Sequence, residues 1–97
     1  MKVEYSNRAI ANLHKISADS RRAFGDRVAR ALEVRIRAVI DLIAREPLSA
    51  PEVEQRPGLR VAALVRYPFK IFYRVFDGHI RIIHIRHTSR RPWRGGE

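Results

Sequence analysis

The runs "FKIFYRVF", residues 69–76, and "HIRIIHIRH", residues 79–87, are separated only by Asp77-Gly78. Both runs are rich in β-branched and aromatic residues, which suit a pleated, half-buried surface. An Asp-Gly pair between two such runs is a strong hairpin signal, because a type I′ turn needs positive φ at both central residues. Such a turn sets the register. Phe76 lies opposite His79, and the pairs continue outward as Val75–Ile80, Arg74–Arg81, Tyr73–Ile82, Phe72–Ile83, Ile71–His84, Lys70–Ile85 and Phe69–Arg86. Side chains alternate across a strand, so the register also sorts them by face. One face holds Phe69, Ile71, Tyr73, Val75, Ile80, Ile82 and His84. It is almost wholly apolar and is expected to pack on the rest of the chain, with His84 a core histidine. The other face holds Lys70, Phe72, Arg74, Arg81, Ile83, Ile85 and His87, where cations interleave with apolar groups. Arg74 directly opposite Arg81 costs stability unless something anionic sits between them.

Upstream, "LRVAALV" at 59–65 reads as a further strand. The segment 47–59, "PLSAPEVEQRPGL", holds three prolines and a glycine and reads as a connecting loop. Before it, Phe24, Val28, Leu32, Ile36, Val39/Ile40 and Ile43 recur at steps of three or four, the spacing of one apolar helix face. Pro47 ends that helix. Ser6 is placed to cap an earlier helix through Ala9, Ile10, Leu13 and Ile16, and "SADS" at 17–20 offers a second capping cluster. "KVEYS" at 2–6 is a short strand. The order β-α-α-β-β-β predicts an α+β domain over residues 1–97, with an N-terminal helical hairpin on one face of a mostly antiparallel sheet.

The chain has 97 residues, enough for one modest core. It has no cysteine, which removes disulfides and thiolate metal sites. His79, His84 and His87 do not share a face, so no metal is expected, and nothing calls for a cofactor. The polar N-terminus lacks the apolar stretch of a signal peptide, and no run is long enough to span a membrane. A cytoplasmic protein is expected. The net charge is +10, and 17 of the 20 basic residues are arginine, whose planar fork suits phosphates and carboxylates.

The ending "IIHIRHTSRRPW", residues 82–93, resembles the I-x-H-x-R-H-x-x-R-x-P-W ending of many ParE-like members of the RelE/ParE superfamily, toxins of type II toxin–antitoxin systems. The helical half is similar in pattern only. The resemblance implies two helices against a largely antiparallel sheet. It also implies a cognate antitoxin whose extended segment folds over the toxin in a hetero-oligomer. The superfamily divides by target. ParE-like toxins inhibit DNA gyrase and cut nothing themselves. RelE-like toxins cut mRNA on the ribosome without a metal, through the RNA 2′-hydroxyl, and need an acid, a base and cations. For such chemistry the candidates are Lys70, Arg74, His87 and Arg90, with Tyr67 as a spare acid and Glu52 or Glu54 as a distant base. RNA-cutting members often carry a tyrosine near the position of Trp93, whereas an indole has no hydroxyl to exchange a proton. That departure favours the gyrase reading. The expected binding surface is Phe72, Arg74, Arg81, Ile83, Ile85, Arg86, Arg90, Arg91 and Trp93. A basic binding module without toxicity is the third reading.

Overall fold

The computed structural model describes residues 1–88, and Arg90, Arg91 and Trp93 lie outside them. The elements are β1 (Lys2–Tyr5), α1 (Asn7–Phe24), α2 (Asp26–Arg45), β2 (Glu52–Val53), β3 (Arg56–Ala63), β4 (Phe69–Phe76) and β5 (His79–His87). Among the described residues the five strands form one sheet in the order β1-β5-β4-β3-β2. β1 runs parallel to β5 and the other pairs are antiparallel. The expected hairpin on a mostly antiparallel sheet is present. The segment read as pure loop contributes β2, and β3 starts three residues before the expected strand, at Arg56.

Ser6 caps α1 by accepting the Ala9 N–H at 2.9 Å. The helix does not restart at residues 17–20, because the side chains of that cluster are engaged sideways. Ser17 hydrogen-bonds Glu33 of α2, and Asp19 pairs with Lys15 and Arg22 along α1 itself. The break falls at Gly25, whose φ of 90° lies in the region that glycine enters without a Cβ penalty. Its N–H donates to the Arg21 carbonyl at 2.9 Å, closing α1. Arg21 then bridges the junction, donating to Asp26 at 2.8 Å and Glu33 at 2.7 Å.

The core joins Ala9 of α1 and Leu32, Ile36, Ile40 and Ile43 of α2 to Leu64, Ile71, Tyr73, Ile80, Ile82 and Ile85. Tyr73 is fully buried, and its hydroxyl donates to the Pro47 carbonyl at 2.7 Å, tying the end of the helical hairpin to the sheet centre. Phe24 and Val28 carry the apolar periodicity across the Gly25 break, yet both are exposed, Phe24 to 70%.

The β4–β5 register departs from the expected one. It holds through Tyr73–Ile82 and then shifts to Phe72–His84, Ile71–Ile85, Lys70–Arg86 and Phe69–His87. Ile83 is the extra residue of a β-bulge. Two side chains from the start of α1 meet β5 there. The Ser6 hydroxyl donates to the Ile83 carbonyl at 2.6 Å, and the Asn12 carbonyl oxygen accepts the Ile85 N–H at 3.0 Å. β1 pairs with β5 only as far as Ile82, so Ser6 and Asn12 take over the ladder where the strand partner stops. The bulge reverses the face of every later residue of β5. Ile85 enters the core at 2% exposure, and His84 leaves it. Burying an isoleucine is worth about 2 kcal/mol, whereas an imidazole in its place must be desolvated. The turn also differs from type I′. Gly78 has a φ of 78°, but Asp77 has none in the positive range, so only the second central residue is left-handed.

The junction between the helices makes stability depend on pH. The Arg21 guanidinium and then the Ser17 hydroxyl hold the Glu33 carboxyl below its ordinary value of 4.5. A depressed carboxylate stabilises above its unfolded pKa and loses that contribution as pH falls through the folded one. The expected result is a melting temperature that drops below about pH 4.5, with a shallower drop in Glu33→Gln. The partners are only half-buried, so raising the salt should shrink the difference in thermal melts.

Candidate functional site

The sheet face turned away from the helices carries three cross-strand rows, read from β3 to β5. They are Ala63–Lys70–Arg86, Val61–Phe72–His84 and Leu59–Arg74–Arg81. Cations thus occupy both ends, and an aromatic pair occupies the centre. The Phe72 and His84 rings stack with centroids 4.3 Å apart and planes 13° from parallel. The Arg86 guanidinium lies over the Phe72 ring at 5.4 Å. Phe72 is 7% exposed even though it lies on the open face.

His84 was expected in the core and lies instead at the middle of this face. Its Nδ1 is buried and has no hydrogen-bond partner among the described residues. Burial pushes its pKa down, and Arg8, Arg86 and Arg56 push it further. Both effects disfavour the protonated imidazole.

The opposed pair Arg74 and Arg81 does not need an outside anion. Their backbones face each other, but their side chains diverge. Arg74 donates to the Pro57 carbonyl at 3.1 Å, and Arg81 lies 3.4 Å from a Glu4 oxygen on β1. The like-charge cost anticipated from the sequence is relieved inside the molecule. Arg81→Ala is expected to change the melting free energy by less than about 1 kcal/mol, as for other exposed pairs. Next to that contact Gly58 has a φ of 84°, a conformation a side chain strains, and a Cβ there would also press on the movable Arg74 Nη1 at 2.9 Å. Gly58→Ala is expected to cost about 1–3 kcal/mol in a denaturant melt, more than removing Arg81.

His87 and Ile85, both expected on the open face, are on the other side. His87 pairs with Phe69, their rings edge-to-face at 5.0 Å, and Ile85 is in the core. Lys70 and Arg74 therefore share a face, but His87 does not join them. Ile83 is half-buried at the bulge, and Arg86 is exposed on the open face. Of the spare candidates, Glu52 lies 3.5 Å from Arg60 and accepts the Gly58 N–H at 3.3 Å, so it is occupied in the β2–β3 hairpin. Among the described residues no three His, Asp or Glu side chains gather as a metal would require.

His87 and Tyr67 instead line a groove of about 660 Å³ that runs between α1, the start of α2 and the ends of β4 and β5. Ile16, Phe24, Val28 and Phe69 supply its apolar walls. Sequence reading assigned Phe24 and Val28 to the core face. For Phe24 the signal that corrects this is Gly25, which ends one helix and starts another, so Phe24 is not on the helix of Leu32 and Ile36; Val28 is exposed in the first turn of α2.

The fold is similar to several solved structures. A chain of the chromosomal ParDE TA system from P. aeruginosa matches with a TM-score of 0.80 at 23% identity, covering 92% of this chain and 97% of that one. The toxin–antitoxin complex RelBE2 from Mycobacterium tuberculosis matches at 0.61 and 22% identity, over 89% and 95%. The isolated E. coli RelE toxin matches at 0.59 and 16% identity, over 92% and 85%. No curated protein sequence matched. The family described as "ParE toxin of type II toxin-antitoxin system, parDE" matches residues 3–92, and the chain belongs to that family.

Proposed function

We propose that this chain is a cytoplasmic toxin that arrests growth by inhibiting DNA gyrase, and that a cognate antitoxin holds it inactive. The observation that carries the choice of target is the separation of His87 from Lys70 and Arg74. A metal-free RNA cut needs an acid and a base on either side of one phosphate. On the open face the cations stand without a tyrosine or the expected histidine. They suit docking on an acidic or phosphate-bearing surface. The groove supports the antitoxin. Its apolar walls and the exposed Phe24 ring fit an apolar segment that folds on binding.

One observation favours the second reading, a ribosome-dependent mRNA endonuclease. His84 shares the open face with Lys70, Arg74 and Arg86, and burial, then Arg8, Arg86 and Arg56, disfavour its protonated form, as a general base requires. Expression of the chain alone separates the two. Gyrase inhibition predicts double-strand DNA breaks and a DNA-damage response while translated messages stay intact. Rapid cutting of those messages with intact DNA would establish the nuclease, and unchanged growth would leave a non-toxic binding module.

A further inference from the structure

α2 presents a second surface that neither the groove nor the open sheet face uses. Ala31, Val34 and Ala38 follow one another at steps of three and four, and Val34 is 69% exposed. This is the a–d–a spacing of one heptad of a coiled-coil seam. Arg30 and Arg35 fall at the flanking g and e positions, where charge selects the partner helix. These five residues, with Arg66 and Tyr67 from the β3–β4 turn, line a depression of about 510 Å³. Among the described residues no hydrogen bond or close ion pair engages Arg30, Arg35 or Arg66, although Arg30 also attracts Glu33 at longer range, and no carboxylate lines the depression. Arg66 has a φ of 80°, the only positive value among the described non-glycine residues. Such a conformation costs an arginine energy that a glycine would avoid, and strain of this kind collects at recognition sites.

We propose that this face docks an acidic amphipathic helix of another protein, its apolar seam on Ala31, Val34 and Ala38 and its carboxylates on Arg30, Arg35 and Arg66. A second copy of this chain does not fit, because arginine flanks would face arginine flanks. Nucleic acid fits less well, since phosphates gain nothing from an exposed valine between two alanines. The small alanines let a helix backbone approach closely, and three guanidiniums make the approach selective for acid. The surface touches the groove only at Tyr67, so both can be occupied together.

The test uses the purified full chain and a labelled three-heptad peptide with leucine at a and d and glutamate at e and g. Its binding is read by fluorescence anisotropy. R30E/R35E and Val34→Asp should each weaken binding about tenfold or more. The charge-matched control K2E/R45E, on exposed positions outside the depression, should change it less than threefold. Arg66→Gly should weaken binding without lowering the melting temperature, which a merely structural arginine would not do. Equal losses in the two charge-matched doubles would reduce the effect to net charge and overturn the proposal. So would a 20-base-pair DNA duplex binding more tightly than the peptide, with R30E/R35E abolishing its binding and Val34→Asp leaving it unchanged. The assay reads no toxicity, so it stands or falls apart from the gyrase reading.

Discussion

Ile85→Ala is expected to destabilise the free protein by about 3 kcal/mol, the usual cost of truncating a buried isoleucine. For a domain of this size that lowers the melting temperature by roughly 12–24 °C. Ile83→Ala, two residues earlier in the same run of isoleucines, is expected to cost less than half as much. Ile85 is 2% exposed and sits in the core beside Ile71, whereas Ile83 is the half-buried extra residue of the bulge. The uninterrupted hairpin register places both side chains on the open face and predicts small, similar losses. Thermal and urea melts of the two variants therefore report which register the hairpin adopts. Asn12→Ala provides a second reading of the same feature, because it removes the acceptor of the Ile85 N–H and leaves that group without its partner.

The second large effect concerns the groove. Phe24→Ala is expected to weaken binding of the cognate antitoxin roughly 30- to 150-fold, the range for truncating an aromatic anchor worth about 2–3 kcal/mol. The same change should shift the melting temperature of the free chain by only a few degrees, because the ring is 70% exposed before any partner arrives. Isothermal calorimetry on the complex and a melt of the free chain separate the two effects. Equal affinity in the variant would move the antitoxin off this groove. A large loss of stability in the free chain would mean that Phe24 belongs to the fold rather than to an interface.

The fold was legible where periodicity and punctuation agree. Ser6 as a cap, Pro47 as a stop and Asp77-Gly78 as a turn each work locally, and the structure uses all three. The departures arise where a distant side chain decides a local matter. The bulge at Ile83 depends on Ser6 and Asn12 reaching β5 from more than seventy residues away, and nothing within "HIRIIHIRH" announces it. One displaced residue was enough to exchange the faces of His84, Ile85 and His87. The "SADS" cluster misled for a similar reason. Ser17 and Asp19 spend their side chains on Glu33, Lys15 and Arg22, and the actual break needed only the glycine next to Phe24. Arg74 and Arg81 were correctly paired as backbones, but Pro57 and Glu4, which separate their charges, come from other strands and loops. Phe72 and Arg74 were legible as parts of the open face, and the ring of His84 that stacks there was not.

We propose that the cationic open face docks on gyrase and does not cut RNA. The most direct measurement adds the purified chain to purified gyrase, ATP and relaxed plasmid, and follows supercoiling and DNA cleavage in one gel. Loss of supercoiling with accumulation of gyrase-bound linear DNA is expected, with supercoiling recovered in a Lys70→Ala/Arg74→Ala variant that still melts normally. Undiminished supercoiling, together with cut messages when the same preparation is added to translating ribosomes, would contradict it.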